Sequence, residues 1–422
     1  MAMLSSKPLN RFQTREELST AIRDRESRRY HLWRTAIFAI IIGSLTFNFF
    51  LAFANTNLFG ITDSYVILVE LILIASTLAL ALDRKAAPLT ILAVFLGYMV
   101  FILAMRSELD LKAVRDILIP LAFYFAGKKL RRIEDADQIV FISAYIVVGV
   151  GLFEFLFLDT FTRFVNIFDY YVARGTLNPD DALIEGSNLF ISATRFEGRN
   201  FFPFLGNTRA SSVFLEPVTM GNFGAFLCLW ALFRHGMKNR FLLFVLAFMV
   251  ILLGDARFGM YVCVAFFLVM PFYRLVPRII WWFTPFTLIL ALAIYGTATD
   301  QLTWEDNFAG RFYLSSQLLL ELDTEMLFGI SPEQVFLEDS GYAATLAQIG
   351  LVGVLALWTL FVFAPAGRPE GHKFKVLAIV FISLMMIVSN SFYSIKLAAL
   401  FWFCAGAADG WRHDPAPRFR AG

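Results

Sequence analysis

Apolar blocks about twenty residues long recur along this chain, and no other feature limits its fold so tightly. One of the first reads "AIFAIIIGSLTFNFFLAFAN", residues 36–55. A helix of ~20 such residues spans a hydrocarbon layer ~30 Å thick. Backbone inside that layer must satisfy its own hydrogen bonds, so only helices or closed barrels cross it. Barrel strands alternate apolar and polar residues, whereas these blocks are continuous. The 422 residues are 58% hydrophobic and 17% charged, with 48 Phe. Soluble domains run at about 45–50% apolar and about 25% charged. The expected class is therefore an all-α polytopic membrane protein, a single integral membrane domain over 1–422.

The blocks predict about twelve transmembrane helices: 34–54, 64–82, 88–105, 110–127, 138–158, 211–233, 241–254, 258–273, 279–297, 343–364, 376–393 and 396–410. The seventh, eighth and twelfth are short, and the fourth carries Lys112, Arg115 and Asp116. With a cytoplasmic N-terminus, every connection assigned to the inner side holds at least two Lys or Arg, as the positive-inside rule requires. An even number of spans places both termini in the cytoplasm. Residues 1–33 form a basic cytoplasmic segment, and Thr14 and Glu17 stand at capping-box spacing within it. No A-x-A cleavage site follows the first block, which reads as a permanent span. Cys228, Cys263 and Cys404 lie singly in apolar runs and read as small apolar side chains. Two long segments, 159–210 and 298–342, are expected outside the membrane as ordered loops.

Charged residues gather at the mouths of those two loops. In "VILLGDARFGMYV", Asp255 and Arg257 sit between two short spans, in a turn expected to dip below the membrane surface. Such a pair is either a local ion pair or part of a ligand path. In "GNTRASSVFLEPVTMGNFGAF", Arg209 stands at the edge of the sixth span. Glu216-Pro217 is expected about two turns deeper, with Glu216 paired to Arg209 or Arg257 and the proline kinking the helix. Arg311 opens an amphipathic stretch, and Glu338-Asp339 precedes the tenth span. Guanidinium forks match phosphate oxygens bidentately and stay charged. The convergence of Arg209, Arg257 and Arg311 on one face implies an anionic, lipid-borne phosphate or pyrophosphate. No cluster has metal-ligand character, Asp180-Asp181 reading as solvated, and nothing points to nucleic acid. The loop aromatics Tyr170, Tyr171, Phe196, Phe201 and Phe202 suit either packing or sugar stacking.

Four stretches together resemble the bacterial O-antigen and exopolysaccharide polymerases and O-antigen ligases, the Wzy/WaaL-like membrane glycosyltransferases. "RASSVFLEP" resembles the family's Arg…Glu-Pro opening of a span. "GDARFG" is similar to its S-x-S-R-x-G stretch, with Arg257 at the arginine and Gly254 and Ala256 at the serines. "GRFYL…LFGIS" resembles its arginine-bearing loop helix, and "DSGYAATLAQIGLVG" the start of its last large-loop span. Where the ligase branch carries a histidine, this chain has Asp339; its histidines, His31, His235, His372 and His413, all fall on the cytoplasmic side of the expected topology. That favours a polymerase over a ligase.

The resemblance implies a GT-C-type architecture and a metal-independent glycosyl transfer without cofactor, at the outer face of the bacterial inner membrane. Donor and acceptor would be undecaprenyl-pyrophosphate-linked oligosaccharides, and a flippase and chain-length regulator or export proteins would be partners beside the membrane lipids. Arg209, Arg257, Arg311 and Tyr342 would hold pyrophosphate or glycan. Asp339, with Glu216 as the second candidate, would act as general base. The competing classes are a ligase-type transferase with another acceptor and a lipid-linked oligosaccharide flippase, which would carry partnered charges deep in several spans.

Overall fold

In a computed structural model, the described residues are 11–82, 86–106, 111–181, 188–195, 198–299, 308–330, 337, 339–367 and 369–410. They are helical throughout apart from turns and one isolated bridge between Thr194 and Thr208. The helices are α1 Arg11–Asn57, α2 Asp63–Ala81, α3 Ala86–Met105, α4 Leu111–Gly127, α5 Ile133–Leu156, α6 Leu158–Phe164, α7 Ile167–Ala173 and α8 Pro217–Phe233. The series continues with α9 Arg240–Leu253, α10 Arg257–Val269, α11 Arg278–Ala298, α12 Phe308–Leu320, α13 Thr324–Phe328, α14 Gly341–Phe363, α15 Pro369–Val388 and α16 Ile395–Gly410.

Each expected span falls on a helix. Seven of them, in α1, α2, α3, α5, α11, α14 and α15, are long and apolar enough to cross a membrane. The other five, α4, α8, α9, α10 and α16, have 13 to 17 residues. Two expectations are corrected here. Helix α1 already runs from Arg11, so Thr14 and Glu17 lie inside a helix and do not cap one. The sixth block does not start as a helix at residue 211. Residues Ser212–Phe214 form a 3-10 turn, and α8 begins at Pro217. Proline suits the first helical position, where its missing N–H costs nothing. Pro217 therefore starts the helix and does not kink it, and Glu216 is its N-cap residue.

The centre of the bundle is α8, α15 and α16, whose side chains are almost all buried. Helices α2, α3 and α11 leave most of their apolar surface outward, as lipid-facing helices do. Small residues set the closest crossing. A Cβ on Gly127 of α4 would lie 2.0 Å from the Phe403 carbonyl, and one on Gly406 of α16 would lie 2.0 Å from that of Tyr124. Backbones approach this closely only through glycine.

Helix α14 is broken. Gly350 has φ 66 and ψ 164 and packs on Gly329, whose φ is 74. The break orphans carbonyls inside the bundle, and side chains of α3 and its C-terminal flank recover them. Arg106 donates to the carbonyls of Gly329 (2.7 Å), Ala347 (2.9 Å) and Gln348 (2.7 Å), and the Tyr98 hydroxyl to that of Ile349 (2.7 Å). The segment 159–210 contains α6 and α7, and 298–342 contains α12 and α13; both cover the same end of the bundle, called the loop end below. At the opposite end, buried ion pairs tie helices together: Arg234–Asp137 at 2.7 Å and Lys375–Asp409 at 3.1 Å.

Candidate functional site

The turn between α9 and α10 carries the charges that interrupt its apolar flanks. Asp255 has φ 46, a left-handed conformation that Asp tolerates better than most residues. Its carboxylate does not turn back to Arg257. It accepts hydrogen bonds from the Asn200 N–H (2.9 Å), the Asn200 side-chain amide (2.8 Å) and the Phe201 N–H (2.8 Å). Arg199 adds bonds to the carbonyls of Thr208 (2.7 Å), Leu252 and Leu253 (3.3 Å). Arg209 donates to the carbonyls of Gly254 (2.9 Å) and Ser192 (3.1 Å). The first loop is thus fastened to the α9–α10 turn by charge-assisted bonds, the stronger class of hydrogen bond.

This fastening closes one side of a pocket of about 120 Å³ at the loop end. Arg209, Arg257 and Arg311, the three arginines expected to converge, all line it. Arg195 lines it too, with Asn222, Tyr261 and Asp255. Arg195, Asn222 and Tyr261 were missed by sequence reasoning. The available signal was the cluster of five arginines in 159–210, which does not say which of them face inward. Arg257 is the first residue of α10, so the partial positive charge of that helix end adds to the guanidiniums. Among the described residues, four guanidiniums and one carboxylate, that of Asp255, line the pocket, a lining suited to a compact anion.

Asp339 stands beside this pocket through Arg311, whose guanidinium meets its carboxylate at 3.1 Å. The Asp339 side chain keeps 38% exposure, so it remains reachable. Its neighbour Ser340 caps α14 by accepting from the Ala343 N–H (3.3 Å) and also accepts from the Ser315 hydroxyl of α12 (2.8 Å). That junction holds Arg311 and Asp339 side by side. Glu338, the other acid of the expected cluster, lies outside the described residues, as does Phe196.

Two expected site residues lie elsewhere. Glu216 is paired with neither Arg209 nor Arg257. Its carboxylate accepts from Lys396 of α16 (3.1 Å), Thr219 (2.9 Å) and the Tyr171 hydroxyl. The reason is local. Ser212 (φ 52) and Leu215 (φ 63) reverse the chain, and the fully buried carboxylate of Glu154 fixes that reversal by accepting from the N–H groups of Ser211 (2.9 Å) and Ser212 (2.6 Å). Arg209 and Glu216 leave the turn on different sides of the first turn of α8: Val218 faces the arginine pocket, and Thr219 faces Glu216. Burial and the adjacent Glu216 carboxylate push the Tyr171 phenol well above its usual pKa, so it stays a donor. Tyr342 is buried, donates to the Ser383 carbonyl (2.7 Å) and lines a different, apolar groove.

That groove has a volume of about 320 Å³ and runs between α3, α4, α11, α14, α15 and α16, from Lys128 and Pro365 at one end to Tyr342, Thr345 and Tyr393 at the other. Of the loop aromatics, Tyr170 and Tyr171 are packed inside, and Phe202 and Phe204 are exposed as an edge-to-face pair. No protein-family model, no curated protein and no solved structure matches the chain.

Proposed function

We propose that this chain is a membrane glycosyltransferase that polymerises lipid-pyrophosphate-linked oligosaccharide repeats into a surface polysaccharide. In this reading all twelve apolar helices lie within the bilayer, both termini are cytoplasmic, and the loop end faces outward across a bacterial inner membrane. The observation that carries the reading is the pocket where Arg195, Arg209, Arg257 and Arg311 converge, with Asp339 held against Arg311.

The chemistry follows from those groups. The acceptor hydroxyl oxygen attacks the anomeric carbon of the donor. The bond from that carbon to the pyrophosphate oxygen breaks, and undecaprenyl pyrophosphate leaves with the bonding pair. Negative charge grows on the leaving oxygen, where preorganised guanidiniums stabilise it more than they do the ground state. The acceptor proton passes to the Asp339 carboxylate. Asp339 is chosen over Glu216 because it adjoins the arginines, whereas Glu216 lies on the other side of α8. The apolar groove offers a second support, being an apolar trough within the same bundle that takes one part of the lipid chain in this reading.

A flippase is less well supported. The buried helix acids Glu70, Glu154 and Asp116 lie near the loop end and are held by Arg115 or by backbone N–H groups. A carrier needs groups that are released as it alternates. The deciding experiment supplies purified full-length protein in vesicles with a lipid-linked repeat unit. A ladder of longer lipid-linked products is expected; movement of the repeat across the bilayer without lengthening would replace this reading with transport.

A further inference from the structure

A second group of charged residues lies at the loop end, on the far side of α8 from the arginine pocket. Arg115 of α4 bridges Glu70 of α2 (2.6 Å) and Asp116 (3.0 Å). Lys396 of α16 meets Glu216 (3.1 Å), and Arg174, following α7, meets Asp63 (2.8 Å). These are one cluster: Glu70 lies within electrostatic range of Arg115, Lys396, Arg174 and Asp63. Gln348 of α14 reaches Asp116 (3.4 Å), while the Tyr170 and Tyr171 rings lie under the Arg174 guanidinium at 5.4 Å.

Two properties distinguish this cluster from a structural ion network. First, it is reached from outside. The side chains of Glu216 and Arg115 keep 28% and 20% exposure, although both sit among apolar helices, and Arg174 of the first loop, at 15%, borders them. A charged side chain facing lipid is costly, so such exposure marks a wet crevice. Second, its charge is balanced among the described residues. Four carboxylates face Arg115, Arg174 and Lys396, and Lys112 lies within range of Asp116. The arginine pocket attracts an anion; this crevice does not. It instead brings carboxylates, guanidiniums and an amide close together, a mixed set of donors and acceptors that matches the hydroxyls of an uncharged sugar.

We infer that the crevice between α2, α4, α7 and α16 is a saccharide subsite that binds neutral sugars of the acceptor repeat, separate from the pyrophosphate pocket. The inference rests on the polymerase reading, which requires two lipid-linked substrates at once. The crevice and the pocket share the first turn of α8 as a common wall, with Thr219 on one side and Val218 on the other. Glu70 and Arg115 are binding residues here and take no part in bond making.

The test uses the full chain in vesicles and follows extension of a preformed lipid-linked oligomer as the single repeat is varied. Glu70→Gln combined with Arg115→Gln removes the central pair while keeping amide hydrogen bonding. KM for the repeat should rise about tenfold, the equivalent of one or two lost hydrogen bonds. Binding of sugar-free undecaprenyl pyrophosphate should stay within twofold of the unaltered protein. Arg174→Gln, at the partly exposed edge of the cluster, gives a milder rise and serves if the double variant does not fold. An unchanged KM in whichever variants fold, or a parallel loss of undecaprenyl pyrophosphate binding, overturns the subsite. Absence of any ladder from the unaltered protein counts instead against the polymerase reading.

Discussion

Single residues at the loop end divide into those that face the pocket and those that build it, and Arg209 does both. Arg257→Lys keeps the charge but loses the planar fork. Polymer yield should fall ~100-fold or more, the scale of removing one charge-stabilising donor. Arg209→Ala should fall as far, and should also lose ~1–3 kcal/mol of stability, because the carbonyls of Gly254 and Ser192 lose their donor. Polymer assays on both variants decide; full polymer length and yield in both would remove the pyrophosphate pocket. For Asp339→Asn, elongation should drop ~10²–10⁴-fold while binding of the lipid-linked donor persists, since the arginines remain. Near-normal turnover there would move the role of base away from Asp339.

At the scale of elements, the interrupted helix α14 connects the arginine pocket to the apolar groove. Its first segment starts at the Asp339–Arg311 contact, and its residues Tyr342, Thr345 and Ile349 line the apolar groove. The break between its segments depends on Gly350, where an added Cβ would meet the Phe328 carbonyl at 2.5 Å as well as strain a positive φ. Gly350→Ala should therefore destabilise the fold by ~1–3 kcal/mol and lower polymer yield by shifting Asp339. A variant that melts and polymerises like the original protein would show that the break is not needed. The short helices α9 and α10 belong to the same logic. They end early because their joining turn must hold Asp255 where it can receive the first loop.

For the molecule as a whole, the first prediction is orientation. A cysteine introduced at Asn178 should react with an impermeant thiol reagent in intact cells whose outer barrier has been opened. One introduced at His235, in the turn between α8 and α9, should not. The reverse pattern would place the loop end in the cytoplasm and remove the basis for a transferase fed by an exported lipid-linked repeat. The distribution of basic residues supports the orientation independently of the fold, since short loops rich in Lys and Arg stay on the inner side.

Hydropathy by itself determined the twelve apolar helices, though not α6, α7, α12 and α13 of the loops, because each long apolar block has one low-energy backbone solution in hydrocarbon. The sequence pattern also located three of the four pocket arginines, since Arg209 and Arg257 stand at the ends of apolar runs and Arg311 opens an amphipathic stretch. Arg195 lay in a loop, where periodicity carries no information about which way a side chain faces. The partner of Glu216 was likewise illegible. Its nearest charges in sequence are arginines, but the reversal at Ser212 and Leu215 turns it toward Lys396, 180 residues away along the chain. That turn depends on Glu154 reaching across from α5 to bind two backbone N–H groups, a long-range contact. Local composition decides which segments are helices; which charges meet is decided only when the helices pack, because a buried charge takes its partner from space and not from sequence.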